Sequence, residues 1–233
     1  MSSRPIRLSR PLLLGITSAL VGAATLVAPA HAAVVTQDCA GGPVTIEATI
    51  EDVTLTGVCT DVTIEASNIT VTLPAVSSLD VMGSNLDVVV SGSAGELTVA
   101  GGNVTLSAAE AGAVTITGSS NELDIDGDIG RTTVLGGTNE LSAEDIGGLS
   151  VKGGNHSVTG AELGRVSVKG GNAVVRGTKA TSAVLRGGNN DLRVTRLPVL
   201  KIFGGNNLAV VKKGSTKVRV VGGNNIVRVH DRA

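Results

Sequence analysis

The sequence predicts an all-β fold: a single-stranded parallel β-helix (β-solenoid) of about eleven rungs, 17–18 residues per rung. Two observations carry this expectation. The stretch from Leu149 to Val175, LSVKGGNHSVTGAELGRVSVKGGNAVV, states one phrase twice, an apolar-alternating run closed by Gly-Gly-Asn, with Gly153 and Gly170 seventeen positions apart. Self-similarity at a fixed period is the mark of a repeat architecture. The second observation is composition, because Phe203 is the only aromatic residue while Gly occurs 32 times. Globular cores normally use rings to fill volume. A core restricted to Val, Leu, Ile and Ala implies a narrow, uniform interior, which suits a solenoid better than a sandwich.

Taken in order, residues 1–32 read as a signal peptide. Arg4, Arg7 and Arg10 precede an apolar run from Pro11 to Val27 and then Ala30-His31-Ala32, so cleavage is expected between Ala32 and Ala33. The run is shorter than the about 20 apolar residues that span a bilayer, and glycines break it. Cys39 follows Gln37-Asp38 and does not sit at the cleavage site, which argues against lipid attachment. A secreted product, extracellular or associated with the cell envelope and without a membrane span in the mature chain, is the expectation.

Residues 33–60 are expected to form an N-terminal cap and first rung. They hold the only two cysteines, Cys39 and Cys59, 20 positions apart. In an exported chain such a pair forms a disulfide. Stacked positions on neighbouring rungs lie roughly 5 Å apart, within the range a disulfide accepts.

Residues 61–233 carry the remaining β-solenoid repeats. The anchors are Ala48, Ala66, Gly83, Gly101, Gly118, Gly136, Gly153, Gly170, Gly187, Gly204 and Gly222, in steps of 17 or 18. Two positions before every anchor stands Ile, Val or Leu, and in the later copies the residue four before is usually apolar too, so that segment alternates as a half-buried strand does. Five positions after the anchor a second apolar column begins with Val88, Leu106 and Leu123. Between the two lies the corner, where Gly takes φ > 0 freely and Asn tolerates it. Asn121, Asn139, Asn190, Asn207 and Asn225 fall three after the anchor; Asn85, Asn103, Asn155, Asn172, Asn189, Asn206 and Asn224 fall two after it. At least one of these columns should form a ladder of stacked amides.

Chemistry-bearing motifs are sparse. The segments 91–95, 126–130 and 161–164 are expected as short loops, too short to wall a catalytic cleft. No catalytic residue, cofactor or metal ligand is assigned. Asp124, Asp126 and Asp128 are spaced like the first ligands of a calcium loop, but Ile129 and Leu135 occupy the positions that need Gly and Glu, which favours a solvated acidic turn. His31 belongs to the leader, His156 falls in the corner and His230 near the C-terminus. Thr98, Thr115, Thr117, Thr133, Ser150 and Ser167 suggest an outward hydroxyl row, for which ordinary β-propensity is reason enough. Charge is more informative. From Ala33 to Ser150, 17 Asp and Glu face Arg131 alone, net −16; from Val151 to Ala233, 15 Lys and Arg face three acids, net +12. Lys152, Lys169 and Arg186 fall in one outward column, Lys201 and Arg219 in the other, as a polyanion-binding ridge. An exported chain with no ring for base stacking is a poor nucleic-acid binder. An anionic cell-wall polymer, or head-to-tail self-association of basic half on acidic half, fits better.

The Gly-Gly-Asn-Asn phrases at 187–190, 204–207 and 222–225, with the leader, resemble an uncharacterised family of secreted actinobacterial repeat proteins, domain of unknown function 3060. The similarity covers most of the mature chain and is clearest from Gly136 onward; Ser84 and Ser119 depart from the pattern. It implies export and a GGNN-repeat β-solenoid, and brings no catalytic residues. The function expected is therefore a non-enzymatic binding or structural scaffold. The alternatives are a degenerate polysaccharide-active β-helix enzyme and a calcium-binding β-roll-like protein.

Overall fold

In a computed structural model, residues 34–47 and 51–230 are described, within one compact unit, Ala32–Ala233. The expected cleavage site at Ala32 and Ala33 and the first anchor, Ala48, lie outside the described residues. Regular structure among the described residues is all strand. It begins with β1 (Val34–Asp38), β2 (Val44–Ile46), β3 (Asp52–Thr56), β4 (Cys59–Ile64), β5 (Thr70–Leu73) and β6 (Val76–Val81). The middle holds β7 (Leu86–Val99), β8 (Val104–Ile116), β9 (Asn121–Ile125), β10 (Ile129–Val134), β11 (Asn139–Gly153), β12 (His156–Gly170) and β13 (Val174–Arg186). It ends with β14 (Asp191–Arg196), β15 (Val199–Phe203), β16 (Leu208–Val211), β17 (Lys217–Val221) and β18 (Ile226–Val229).

Each strand pairs in parallel with the strand one coil away, as in β2–β4–β6, β11–β12–β13 and β14–β16–β18, so the chain winds as a β-solenoid of about 11 turns. At the strand spacing of about 4.8 Å the unit is on the order of 50 Å long. Every rung has a first side that ends at the anchor, a second side after the corner, and a short third side that returns. On the first side the alternation places Leu97 and Val99, Leu149 and Val151, Leu200 and Ile202 inward and fully buried. On the second side Val88, Leu106 and Leu192 meet them. Burying each such side chain stabilises by about 1.5–3 kcal/mol.

The third side corrects one expectation. Residues 91–95 and 161–164 are not loops: they lie inside β7 and β12, and Ala94 pairs with Ala111, Leu163 with Ile146. Only Asp126–Asp128 remains outside a strand. The reason is a second glycine column, Gly95, Gly112, Gly130, Gly147 and Gly164, where an added Cβ would fall 1.7–2.5 Å from the carbonyl group of the residue stacked one coil away. Without side chains the backbones approach closely enough to bond.

The corner has two forms. In the N-terminal half its inside is filled by Ile69, Leu86 and Val104, while outside Asn85 Nδ2 donates to Asn68 Oδ1 and Asn103 Nδ2 to Asn85 Oδ1, both at 2.9 Å. Here the anchors Gly83 and Gly101 are glycine because a Cβ would sit 1.7 Å from a carbonyl oxygen. In the C-terminal half the anchors from Gly136 onward have positive φ, and the ladder moves inside: Asn190 Nδ2 donates to Asn207 Oδ1 at 2.8 Å, and Asn207 Nδ2 to Asn225 Oδ1 at 2.9 Å. Both columns thus form ladders, in different halves. The outer Asn residues, from Asn68 to Asn224, all occupy φ of 41–63°, the left-handed region Asn tolerates.

His156 stands in the inner column between Asn139 and Ala173. Nε2 meets the Lys152 carbonyl oxygen at 3.2 Å, but the buried Nδ1 has no partner. Desolvation holds its pKa below 6.5, offset in part by that backbone bond. A base with a lowered folded pKa is protonated first in the unfolded state, so stability is complete above pH 6.5 and declines as pH falls from there toward the folded value. His156→Asn should remove this decline. Melting temperatures of both proteins on either side of pH 6.5 check it.

Cys39, just after β1, and Cys59, at the start of β4, form the expected disulfide between adjacent coils, with Cα atoms 5.0 Å apart and both sulfurs in the core. Removing the bond should cost about 2–4 kcal/mol. Hydrogen exchange after reduction should rise first in β1–β4, because a solenoid passes strain only to neighbours.

Candidate functional site

The first side of the C-terminal half presents three outward columns, each set by strand register. Nearest the corner, Lys152 lies beside Lys169, Lys169 beside Arg186, and Arg186 beside Phe203. The next column runs Ser150, Ser167, Val184, Lys201, Arg219. The third holds Arg131, Gly148, Arg165 and Ser182, then Val199 and Lys217. The structure therefore brings Lys152, Lys169, Arg186, Lys201 and Arg219 together on one exposed face and adds Arg131, Arg165 and Lys217. No acid lies in these columns. Among the described residues the ion pairs are Lys179–Glu162 and Arg193–Asp191, both at 2.9 Å and both on other sides.

Neighbouring cations at the rung spacing repel by on the order of 1 kcal/mol even in water. One feature offsets this. Phe203 is flanked by Arg186, whose guanidinium carbon is 5.3 Å from the ring centre, and by Arg219 at 5.7 Å. Cation–π attraction holds both groups against one ring. At the other end of the ridge, Gly147 and Gly148 leave a hollow of about 380 Å³ between Arg131 and Arg165, edged by Thr133, Ser150 and Ser167. Hydroxyl and guanidinium donors there line a space open to an anion.

A second basic cluster lies away from the expected ridge. On the second side Arg176 lies beside Arg193, and beyond Val210 stands Arg228; with Lys212 they surround a hollow of about 490 Å³ floored by Leu208 and Val210. Arg193 is forked to Asp191, which raises its pKa through hydrogen bonding and charge. The signal existed in the spacing of 176, 193 and 228, all outward positions of one column, but Val210 interrupts it.

The other candidate residues are scattered. Thr98, Thr115, Thr133, Ser150 and Ser167 do share one column, with Thr117 in the next. Asp124 is on β9, Asp126 and Asp128 in the turn after it, and no group of three metal-binding side chains converges among the described residues. His156 and His230 are far apart in the column order. In the acidic half, a hollow of about 440 Å³ along the outer Asn ladder holds Asp52 and Asp87, with Thr70 between them in register. Asp52 Oδ1 accepts the Thr70 N–H at 2.8 Å. No helix among the described residues is long and apolar enough to cross a membrane.

No family model, curated protein or solved structure matches this chain.

Proposed function

We propose that the chain is exported and acts as a non-enzymatic β-solenoid scaffold in the cell envelope or outside it, binding an anionic wall polymer along the basic first side. The observation that carries this reading is the alignment of Lys152, Lys169, Arg186, Lys201 and Arg219 in two adjoining columns with no acid among them. A linear polymer with phosphate or carboxylate groups meets a cation at every rung. The flat guanidiniums beside Phe203 supply paired donors, which suit such groups. Export is supported by the leader, by the buried disulfide and by the resemblance of the Gly-Gly-Asn-Asn phrases to a secreted repeat family.

The test is binding of linear polyphosphate and of polygalacturonate to the wild type and to a variant with the five residues changed to Ser. At exposed sites each lost contact is worth about 0.2–1 kcal/mol, so the five together amount to about 1–5 kcal/mol and the variant should bind at least about fivefold, and up to roughly a few thousandfold, more weakly. Wild-type binding should also weaken with salt, since exposed charges are screened over about 8 Å at physiological ionic strength. Unchanged binding by the variant would refute the ridge as the site and direct attention to Arg176 and Arg228.

One observation favours a second reading. Asp52 and Asp87 stand two rungs apart, about 10 Å by strand spacing, in one hollow on the acidic half. Two carboxylates facing a groove are the minimum for glycoside hydrolysis, and a spacing this wide lies just beyond the about 6.5–9.5 Å of an inverting pair and well beyond the about 5–5.5 Å of a retaining one. Release of reducing ends from wall glycans by the wild type, lost in Asp87→Asn, would establish that activity.

A further inference from the structure

Among the described residues, the outermost strands at the two ends of the solenoid each leave one edge without a partner. At the C-terminal end β17 pairs only with β15 and β18 only with β16, so one backbone edge of each is unpaired among the described residues. At the other end, among the described residues, β1 pairs only with β3 and β2 only with β4. Such edges are templates for another strand. Both ends also expose side chains whose columns belong to the core. Val218 and Val220 are 42% and 41% exposed and Val35 is 41%, whereas Leu200, Ile202 and Val53 in the same columns are buried; on the first side of the N-terminal coil Val44 and Ile46 are only 6% and 5% exposed.

We propose that the exported chain stacks end to end with a second copy of itself, β17 laid on β2 and β18 on β1. The rung register continues without a shift. One step beyond the C-terminal end, Val218 falls on the column that holds Val44, Val220 on that of Ile46, Val227 on that of Val35, and the outward Ile226 on that of Val34. Ile226 and Val34 are 52% and 62% exposed in the single chain, and stacking covers both. Charge selects this pairing over like ends. Lys217, Arg219 and Arg228 project from the last coil; Asp38 and Glu47 lie on the first, with Asp52 one coil in. Because the contact is heterologous and does not close, repetition gives a filament rather than a closed dimer. The ridge lies on the side of each unit, so this inference does not rest on polymer binding.

Sedimentation velocity of the chain purified after export tests it, with Val220→Asp to block the C-terminal end and Val35→Asp to block the N-terminal end. The wild type should show species that lengthen with concentration and shorten with salt. Each variant alone should be monomeric, and an equal mixture should give a species of twice the monomer mass and nothing larger, since each supplies the end the other lacks. If Val220→Asp loses the strand signal in circular dichroism, Ile226→Asp, outward and exposed, takes its place. A wild type monomeric at every concentration overturns the proposal. So does continued assembly of either variant alone, which would indicate contact through the sides. Polyphosphate binding by Val35→Asp, at the end remote from the ridge, should match the wild type, so a failure here is distinguishable from a failure of the ridge.

Discussion

Gly187→Ala should lower the unfolding free energy by about 2–6 kcal/mol, whereas Gly148→Ala should be close to neutral. At Gly187 two effects act together. Its φ of +115° is a backbone conformation that L side chains rarely adopt, worth about 1–3 kcal/mol of strain. An added Cβ would also lie 1.9 Å from the Gly170 carbonyl oxygen and 2.8 Å from its carbon. That oxygen belongs to backbone, which cannot swing aside as a side chain does, so two coils must separate at the corner. Overpacking of this kind costs about another 1–3 kcal/mol. Gly148 is the internal control, because a Cβ added there would meet no atom within 4 Å and its φ is not positive. Urea unfolding of both variants checks the contrast. Equal stabilities would mean that the corner is free to relax, against the stacking of Gly153, Gly170, Gly187 and Gly204 carbonyls seen in every coil there.

The same glycines show how far the fold was legible in the sequence. The anchors and the apolar columns two and four positions before them announce a solenoid, because a side chain that must enter the interior leaves a period-two trace. The cysteine spacing was legible for a related reason, one coil plus a small excess. The column Gly95, Gly112, Gly130, Gly147 and Gly164 has the same period, yet its surroundings of Ser, Ala, Asp and Glu resemble loops. Glycine there marks close backbone approach rather than a turn, and only the neighbouring coil distinguishes the two. The ridge could be drawn from Lys152 to Arg219 because alternation assigns outward positions. What alternation does not say is which outward columns adjoin, so Arg131 and Arg165, and the sandwich of Phe203 between two arginines, emerged only from the register.

Asn207→Ala should be as damaging as the glycine change, and Asn85→Ala much less so, although both residues belong to amide ladders. Asn207 is 1% exposed. Its Oδ1 accepts the backbone N–H of Asn190 at 3.1 Å and the Asn190 amide at 2.8 Å, and its Nδ2 donates to the Gly187 carbonyl oxygen at 3.0 Å and to Asn225 Oδ1 at 2.9 Å. Truncation leaves the Asn190 N–H and the Gly187 carbonyl inside the corner without that partner. A buried group so orphaned costs about 1–3 kcal/mol, and two of them about 2–6 kcal/mol. Asn85 is different because its amide bonds to Asn68 and Asn103 are exposed, and water replaces them when they are lost. What remains there is the left-handed backbone at φ 55°, which Ala adopts at a cost of about 1–2 kcal/mol. Asn85→Gly should therefore recover nearly all of the stability that Asn85→Ala loses, while Asn207→Gly should recover none. Thermal melts of the four variants separate a column that serves hydrogen bonding from one that serves backbone conformation; a rescue of Asn207 by Gly would place both columns in the second class.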